Sequence, residues 1–307
     1  MRKTNVGGQA VLEGVMMRGV KGLAVAVRKP DGEISVEYKD IVPFTQKNKF
    51  FALPVIRGFV SLIDSLREGI KALNYSAEFF EDDEEEPSKF EKWLQNKLGD
   101  KFDNTITTIT MIVSFLVAIA LFVGMPTIAA NFLKKVITNT ILLNIIEGII
   151  RVVILISYIA VIAKMDDINR VYQYHGAEHK TIFCYENEEE LTPENVKKFS
   201  RFHPRCGTNF LFLVMIVSII IFAFTGWGTF VERIAFRICL IPVVSGVTYE
   251  IIKWVGKSSS AISKIVAYPG LQLQKLTTRE PDESQIEVAI AALKAAEGID
   301  NEDKTTD

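Results

Sequence analysis

The sequence predicts an α-helical membrane protein: about four transmembrane helices, a small N-terminal β unit and amphipathic cytoplasmic helices. Three observations lead there. Hydrophobic residues make up 49% of the 307-residue chain, yet charged residues still make up 23%. With a mean hydropathy of +0.21, that mixture requires the apolar residues to be concentrated in blocks. Four such blocks occur, at 105–133, 141–163, 209–227 and 231–254, the last less purely apolar than the others. Each meets or exceeds the roughly 18–20 residues that cross about 30 Å of hydrocarbon. Finally, Lys and Arg are distributed unevenly. Residues 1–104 hold sixteen, 164–208 seven and 253–307 seven, whereas the connections 134–140 and 228–230 hold only Lys134 and Lys135. By the positive-inside rule this is a multi-pass protein of the cell membrane, with both termini and the 164–208 loop cytoplasmic.

The elements follow in order. Residues 1–20 lack the apolar run of a secretory signal, with Gly7, Gly8, Gln9 and Glu13 standing where it would be. Segment 1–48 reads as a glycine-rich β unit: GLAVAVRK (22–29) and EISVEYKD (33–40) are β-branched, partly alternating runs joined by the turn residues Pro30-Asp31-Gly32. The glycines of GGQAVLEGVMMRG (7–19) do not fit G-x-G-x-x-G and point to backbone packed closely against another element. Segment 49–80 carries an amphipathic helix over 54–79, opened by Pro54. Its stripe is Ile56, Phe59, Val60, Ile63, Leu66, Ile70 and Leu73, suited to a membrane surface or to packing on the bundle. Segment 81–104 is an acidic linker (81–87) and juxtamembrane stretch, and Glu186 to Glu190 form a second acidic stretch; both read as solvated. Helices one and two occupy 105–163, a motif loop 164–208, and helices three and four 209–254. The cytoplasmic C-terminal segment, 255–307, contains a helix over about 282–297, started by Pro281-Asp282-Glu283 and stopped by Gly298, then a polar tail.

All three histidines of the chain fall in the motif loop. His175 and His179, in YHGAEHKT (174–181), stand one helical turn apart on one face and can hold one metal ion between them. HGAEH has the form H-x-x-E-H, in which the carboxylate beside the second histidine serves as general base; here that is Glu178. His203-Pro204-Arg205-Cys206-Gly207 adds a histidine and a cysteine at the spacing of a zinc knuckle. Imidazole and thiol ligands select zinc over magnesium. Three ligands, His175, His179 and His203, leave an open catalytic site, whereas Cys206 as a fourth closes it into a structural one. Glu250, at the cytoplasmic end of the fourth helix, and Glu13, in the glycine-rich stretch, are supporting candidates. Glu147 and Arg151 form an i,i+4 pair inside the second helix, read as a mutual ion pair. Reduced cysteines are expected at 184, 206 and 239, and no basic patch with interleaved aromatics suggests nucleic acid.

Five motifs, GGQAVLEGVMMRG (7–19), YHGAEHKTIFCYE (174–186), HPRCGTNFL (203–211), GVTYEIIKW (246–254) and PGLQLQKLTTREP (269–281), together resemble a bacterial family of multi-pass membrane proteins. That family is of unknown function and its members are labelled predicted metal-dependent enzymes. The resemblance runs from about 5 to 296, and it implies a site at His175, Glu178, His179, His203 and Cys206.

The leading expectation is therefore a zinc-type hydrolase at the cytoplasmic membrane face, with a bilayer as its surroundings and a protein partner or second copy as further company. The alternative is a non-catalytic scaffold or assembly factor with a structural metal. A weaker alternative is a transporter with Glu147, Arg151 and Arg237 lining a path.

Overall fold

The computed structural model describes residue 4 and residues 6–80, 102–226, 228–258 and 260–299, so the acidic block at 81–87 lies outside the described residues. The chain divides into two compact units: Met1–Phe80, Ile156–Ser218 and Cys239–Asp307 make the first, and Glu81–Leu155 with Ile219–Ile238 the second.

The first unit is built on a four-stranded antiparallel meander, β1 (Gly7–Val11), β2 (Gly14–Arg18), β3 (Leu23–Arg28) and β4 (Ile34–Lys39), paired in chain order. The expected β3–β4 hairpin is present, its turn closed by the Gly32 N–H on Lys29 O and by Gly32 at φ +89°. Strands β1 and β2 come from the glycine-rich stretch, where the missing alternation hid them.

Strand side chains alternate between faces, and here both faces are buried. Val15, Met17, Ala24 and Ala26 pack with Tyr174, Ala177 and Ile182 of α6 (Asp166–Glu186) and with Ile286, Ala289 and Leu293 of α11 (Glu283–Glu297). Met16, Leu23, Val25 and Val27 pack with Ala72 of α2 (Ile56–Ala77). This explains the unbroken apolar run of β3. Helix α11 begins where expected: Asp282 and Gln285 form a reciprocal capping box, and Gly298 ends it in the left-handed region at φ +68°.

Helix α2 fills the expected span, and it meets the fold with the side opposite its apolar stripe. Gly58, Asp64, Glu68, Gly69, Ala72 and Ser76 are its buried residues, while Ile63, Leu66, Ile70 and Leu73 of the apolar stripe face outward. The small residues let neighbours come close: a Cβ on Gly69 would meet the Gln9 side-chain oxygen at 2.5 Å, and one on Gly58 would stand 2.9 Å from Gly246 Cα. A helix absent from the sequence reading, α10 (Ala261–Thr277), precedes α11. The 164–208 segment is largely α6, with a short helix α7 (Pro193–Lys197) after it.

In the second unit, α3 (Phe102–Ile119) continues through a π turn (Ala120–Gly124) into α4 (Met125–Leu133). Two stretches are long and apolar enough to cross a membrane, Thr108–Leu133 and α5 (Thr140–Ile162). Two further helices run partly in each unit: α8 (Gly207–Ala223) is apolar but only 17 residues long, and α9 (Phe230–Lys257) carries Glu232, Arg233 and Arg237 in the second unit and Glu250 and Lys253 in the first. Glu147 forms the expected ion pair with Arg151, 3.7 Å from its Nη2, and in addition receives the guanidinium groups of both Arg233 and Arg237. Spacing within one helix could not reveal partners from another.

One close approach positions everything around α6. The segment after α10 crosses α6 at Gly176, where Arg279 N–H bonds Tyr172 O at 2.8 Å and a Cβ on Gly176 would stand 2.0 Å from Arg279 O. Backbone cannot yield that distance. Gly176→Ala is expected to lower stability by about 1–3 kcal/mol, whereas Gly7→Ala, which meets nothing within 4 Å, stays within about 0.5 kcal/mol of wild type. Thermal unfolding of the purified full chain compares the two.

Candidate metal centre

Helix α6 starts with Asp166 and Asp167 in its first turn, which complement the helix dipole. One face of it is held on the sheet: Tyr174 is wholly buried, and its hydroxyl donates to Glu13 Oε2 at 3.1 Å. Half a turn away, His175 and His179 stack at the expected i,i+4 spacing with ring centroids 4.4 Å apart. Cys206 arrives from the turn that opens α8, with Thr208 N–H directed at its sulfur at 3.4 Å.

One ring nitrogen of His175, one of His179 and the Cys206 sulfur all lie within 4.8 Å of one another. Which nitrogens these are follows from the outer hydrogen bonds. His175 Nδ1 faces Thr277 O at 2.8 Å, and His179 Nδ1 faces Arg201 O at 2.5 Å. A carbonyl only accepts, so each Nδ1 carries the proton and each Nε2 is left with its lone pair. His175 Nε2 points at Cys206 Sγ, 3.1 Å away. His179 Nε2 is buried and has no hydrogen-bond partner. A thiol has one proton and cannot satisfy two imidazole lone pairs, so the donor set suits a cation better than it suits itself.

The electrostatics point the same way. Burial, with His175 beside it, keeps His179 below its ordinary pKa and therefore neutral. Burial pushes the Cys206 thiol up, whereas a proton on His179 and hydrogen bonds with Thr208 would draw it below its usual value. Neutral imidazole and thiolate are the metal-binding forms. Glu178, 4% exposed, lies against β1 at Gly8; burial is the main cause that raises its carboxyl to about 8, and its Oε2 has no partner.

Among the other sequence candidates, His203 is brought alongside the trio without joining it. Its ring centroid is 5.6 Å from that of His179, its Nε2 is 3.8 Å from Glu186 Oε2, and its Nδ1 accepts from Arg205 N–H at 3.4 Å. Gln274 clamps its backbone from both sides, accepting from His203 N–H at 2.8 Å and donating to His203 O at 2.7 Å. Glu250 is engaged elsewhere, by Arg57 of α2 through two hydrogen bonds, one of 2.6 Å. Glu13 likewise is taken by Arg170, with Nη2 to Oε2 at 2.6 Å, as well as by Tyr174.

Sequence reasoning missed Glu186, placed by composition in a solvated acidic run. It is 2% exposed and accepts from Thr4 N–H at 3.0 Å, the Thr4 hydroxyl at 2.9 Å and the Arg205 guanidinium. Burial alone would raise its carboxyl, yet His203, Thr4 and Arg205 together hold it down at about 2. A depressed carboxylate contributes stability that is complete above its ordinary value of 4.5 and is lost as pH falls through about 2. Wild type should therefore lose unfolding free energy across that window, and Glu186→Gln should lose less across it from a lower starting stability. Denaturation midpoints measured through the range check this.

No solved structure matches the chain. The uncharacterised protein YqhQ of Bacillus subtilis (strain 168) is 34% identical over 285 residues, which cover 92% of this chain and 89% of that protein. Residues 53–298, which hold the trio and Glu178, match the family described as protein of unknown function DUF1385, and the chain belongs to that family.

Proposed function

We propose that His175, His179 and Cys206 bind a zinc-type ion, and that the protein is a metal-dependent hydrolase working at the cytoplasmic face of a membrane. The observation that carries the reading is the convergence of two Nε2 lone pairs and one sulfur, with both Nδ1 protons committed to backbone carbonyls. Three protein ligands are the number of an open, catalytic site rather than a closed one. When bound, such an ion supplies Lewis-acid polarisation and acidifies water.

The chain's own part in that chemistry falls to Glu178. Its carboxyl is held near neutrality, the range in which a group can take a proton and give it back. Thr277 O and Arg201 O keep both imidazoles oriented, as outer-shell partners of ligating histidines do. The membrane setting is supported by the two long apolar helices, by the outward apolar stripe of α2, and by the cytoplasmic excess of Lys and Arg.

One observation favours a second reading, a structural metal in a scaffold. The trio ties together α6 and the turn before α8, with α10 held through Thr277 O, and two of its three members are buried. A metal there would staple those segments whether or not it performs chemistry.

Metal analysis of the purified full chain separates these. Wild type is expected to hold about one ion per chain, and His179→Ala and Cys206→Ser to lose most of it; a metal-free wild type sinks both readings. Glu178→Gln is expected to keep its metal while failing to complement a strain lacking the protein. Full complementation by Glu178→Gln leaves only the structural reading.

A further inference from the structure

Beside the metal centre, the first unit holds a cavity of about 470 Å³, within the roughly 300–1,000 Å³ usual for small-ligand sites. His203 and Arg205, from the turn that carries Cys206, form part of its wall. The remainder is mainly apolar, with Phe183 of α6, Val255 of α9, and Ala267, Tyr268 and Leu271 of α10. The metal reading makes no use of this space.

The charged groups around it are unevenly committed. Glu186 and Arg205 both line it, but they bond each other, and Arg205 also donates to Thr4 O. The Arg205 stem lies along α9: a Cβ on Gly256, another wall residue, would stand 3.3 Å from its Cγ and Cδ. That side chain therefore has its methylenes at the wall and its charge on Glu186. Lys264 differs. It is exposed at the rim, and among the described residues it enters no ion pair.

The apolar surface continues outward from the cavity. Tyr268 is exposed, as are Ile262 and Ile265 one and two turns before it on the same side of α10. Contiguous apolar surface marks contact with a membrane or a partner, and a cation within it suits anionic lipid. A peptide would bring backbone amides that need partners. The two hydroxyls of the lining, Ser258 and Ser263, are already bonded within their own turn. A hydrocarbon chain makes no such demand.

We propose that this cavity holds the acyl chain of an anionic amphiphile, its methylenes against Phe183, Ala267 and Leu271 and its head by Lys264.

The full chain, exchanged from detergent into amphipol, is titrated with octanoate, decanoate, dodecanoate and dodecanol, each displacing a fluorescent fatty acid. Affinity is expected to rise about fourfold per methylene added, and dodecanoate to bind more tightly than dodecanol. Lys264→Glu, an exposed change, should weaken dodecanoate about two- to fivefold and leave dodecanol unaltered. Ala267→Phe, which fills the cavity, should abolish binding of both. If that variant fails to fold, the chain-length series and Lys264→Glu still decide. The proposal is overturned by a wild type without saturable binding, by affinity indifferent to chain length, or by Lys264→Glu without effect. Displacement of dodecanoate by an apolar peptide lacking an acyl chain overturns it as well. None of these variants alters the metal trio, so the assignment stands or falls separately from the hydrolase reading.

Discussion

The chemistry available at the candidate centre depends on which nitrogen of each imidazole carries a proton, and that is decided by two backbone carbonyls. Thr277 O and Arg201 O accept from the Nδ1 atoms and thereby turn both Nε2 lone pairs toward Cys206. Neither carbonyl is near its histidine in sequence. Each is delivered by the packing of a separate segment on α6, one of which passes Gly176 at backbone distance. Histidines at i,i+4 would exist on any such helix. What makes them a donor pair is that the surrounding backbone has already taken their other nitrogens.

Carboxylates in the sequence motifs play a different part from the one their positions suggest. Glu13, Glu186 and Glu250 each face an arginine, Arg170, Arg205 and Arg57 respectively, and each bond joins segments more than ten residues apart. They fasten the sheet to α6, the N-terminal residue Thr4 to the turn before Cys206, and α2 to α9. Glu178 stands apart because, among the described residues, no lysine or arginine pairs with it: burial raises its carboxyl to about 8 and leaves one oxygen unengaged. Four glutamates of similar appearance in sequence thus divide into three fasteners and one buried carboxyl with an unengaged oxygen.

Local rules recovered what depends on neighbours in the chain. The β3–β4 hairpin, the capped helix α11 and the His175–His179 face follow from turn residues, capping residues and helical period. Strands β1 and β2 escaped because glycine carries no alternation, and α10 because its pattern was overshadowed by the motif beside it. Of the converging side chains, His175, His179 and Cys206 could be named, but carbonyl acceptors have no residue type to announce them. Glu186 was hidden by its acidic neighbours, since composition cannot tell a buried member of a charged run from its solvated companions. For α2 the stripe was legible, and of the two surroundings left open for it the stripe does not pack on the fold. Sequence tells which residues share a face, while the small residues opposite decided which face met the fold.

The centre draws on residues scattered widely along the chain: His175 and His179, then Arg201 and Cys206, and finally Thr277, with Thr4 bracing Glu186 from the far N-terminus. Such non-local contacts close late in folding, because loop-closure entropy must be met before they are rewarded. On a ribosome, α6 emerges with its two histidines well before the segment that carries Thr277. Until that segment docks, His175 has no fixed tautomer and the three ligands have no common centre. Any ion held by this trio would therefore be captured only once the C-terminal part of the chain is complete, and a nascent protein lacking it would present thiol and imidazole groups without a common centre.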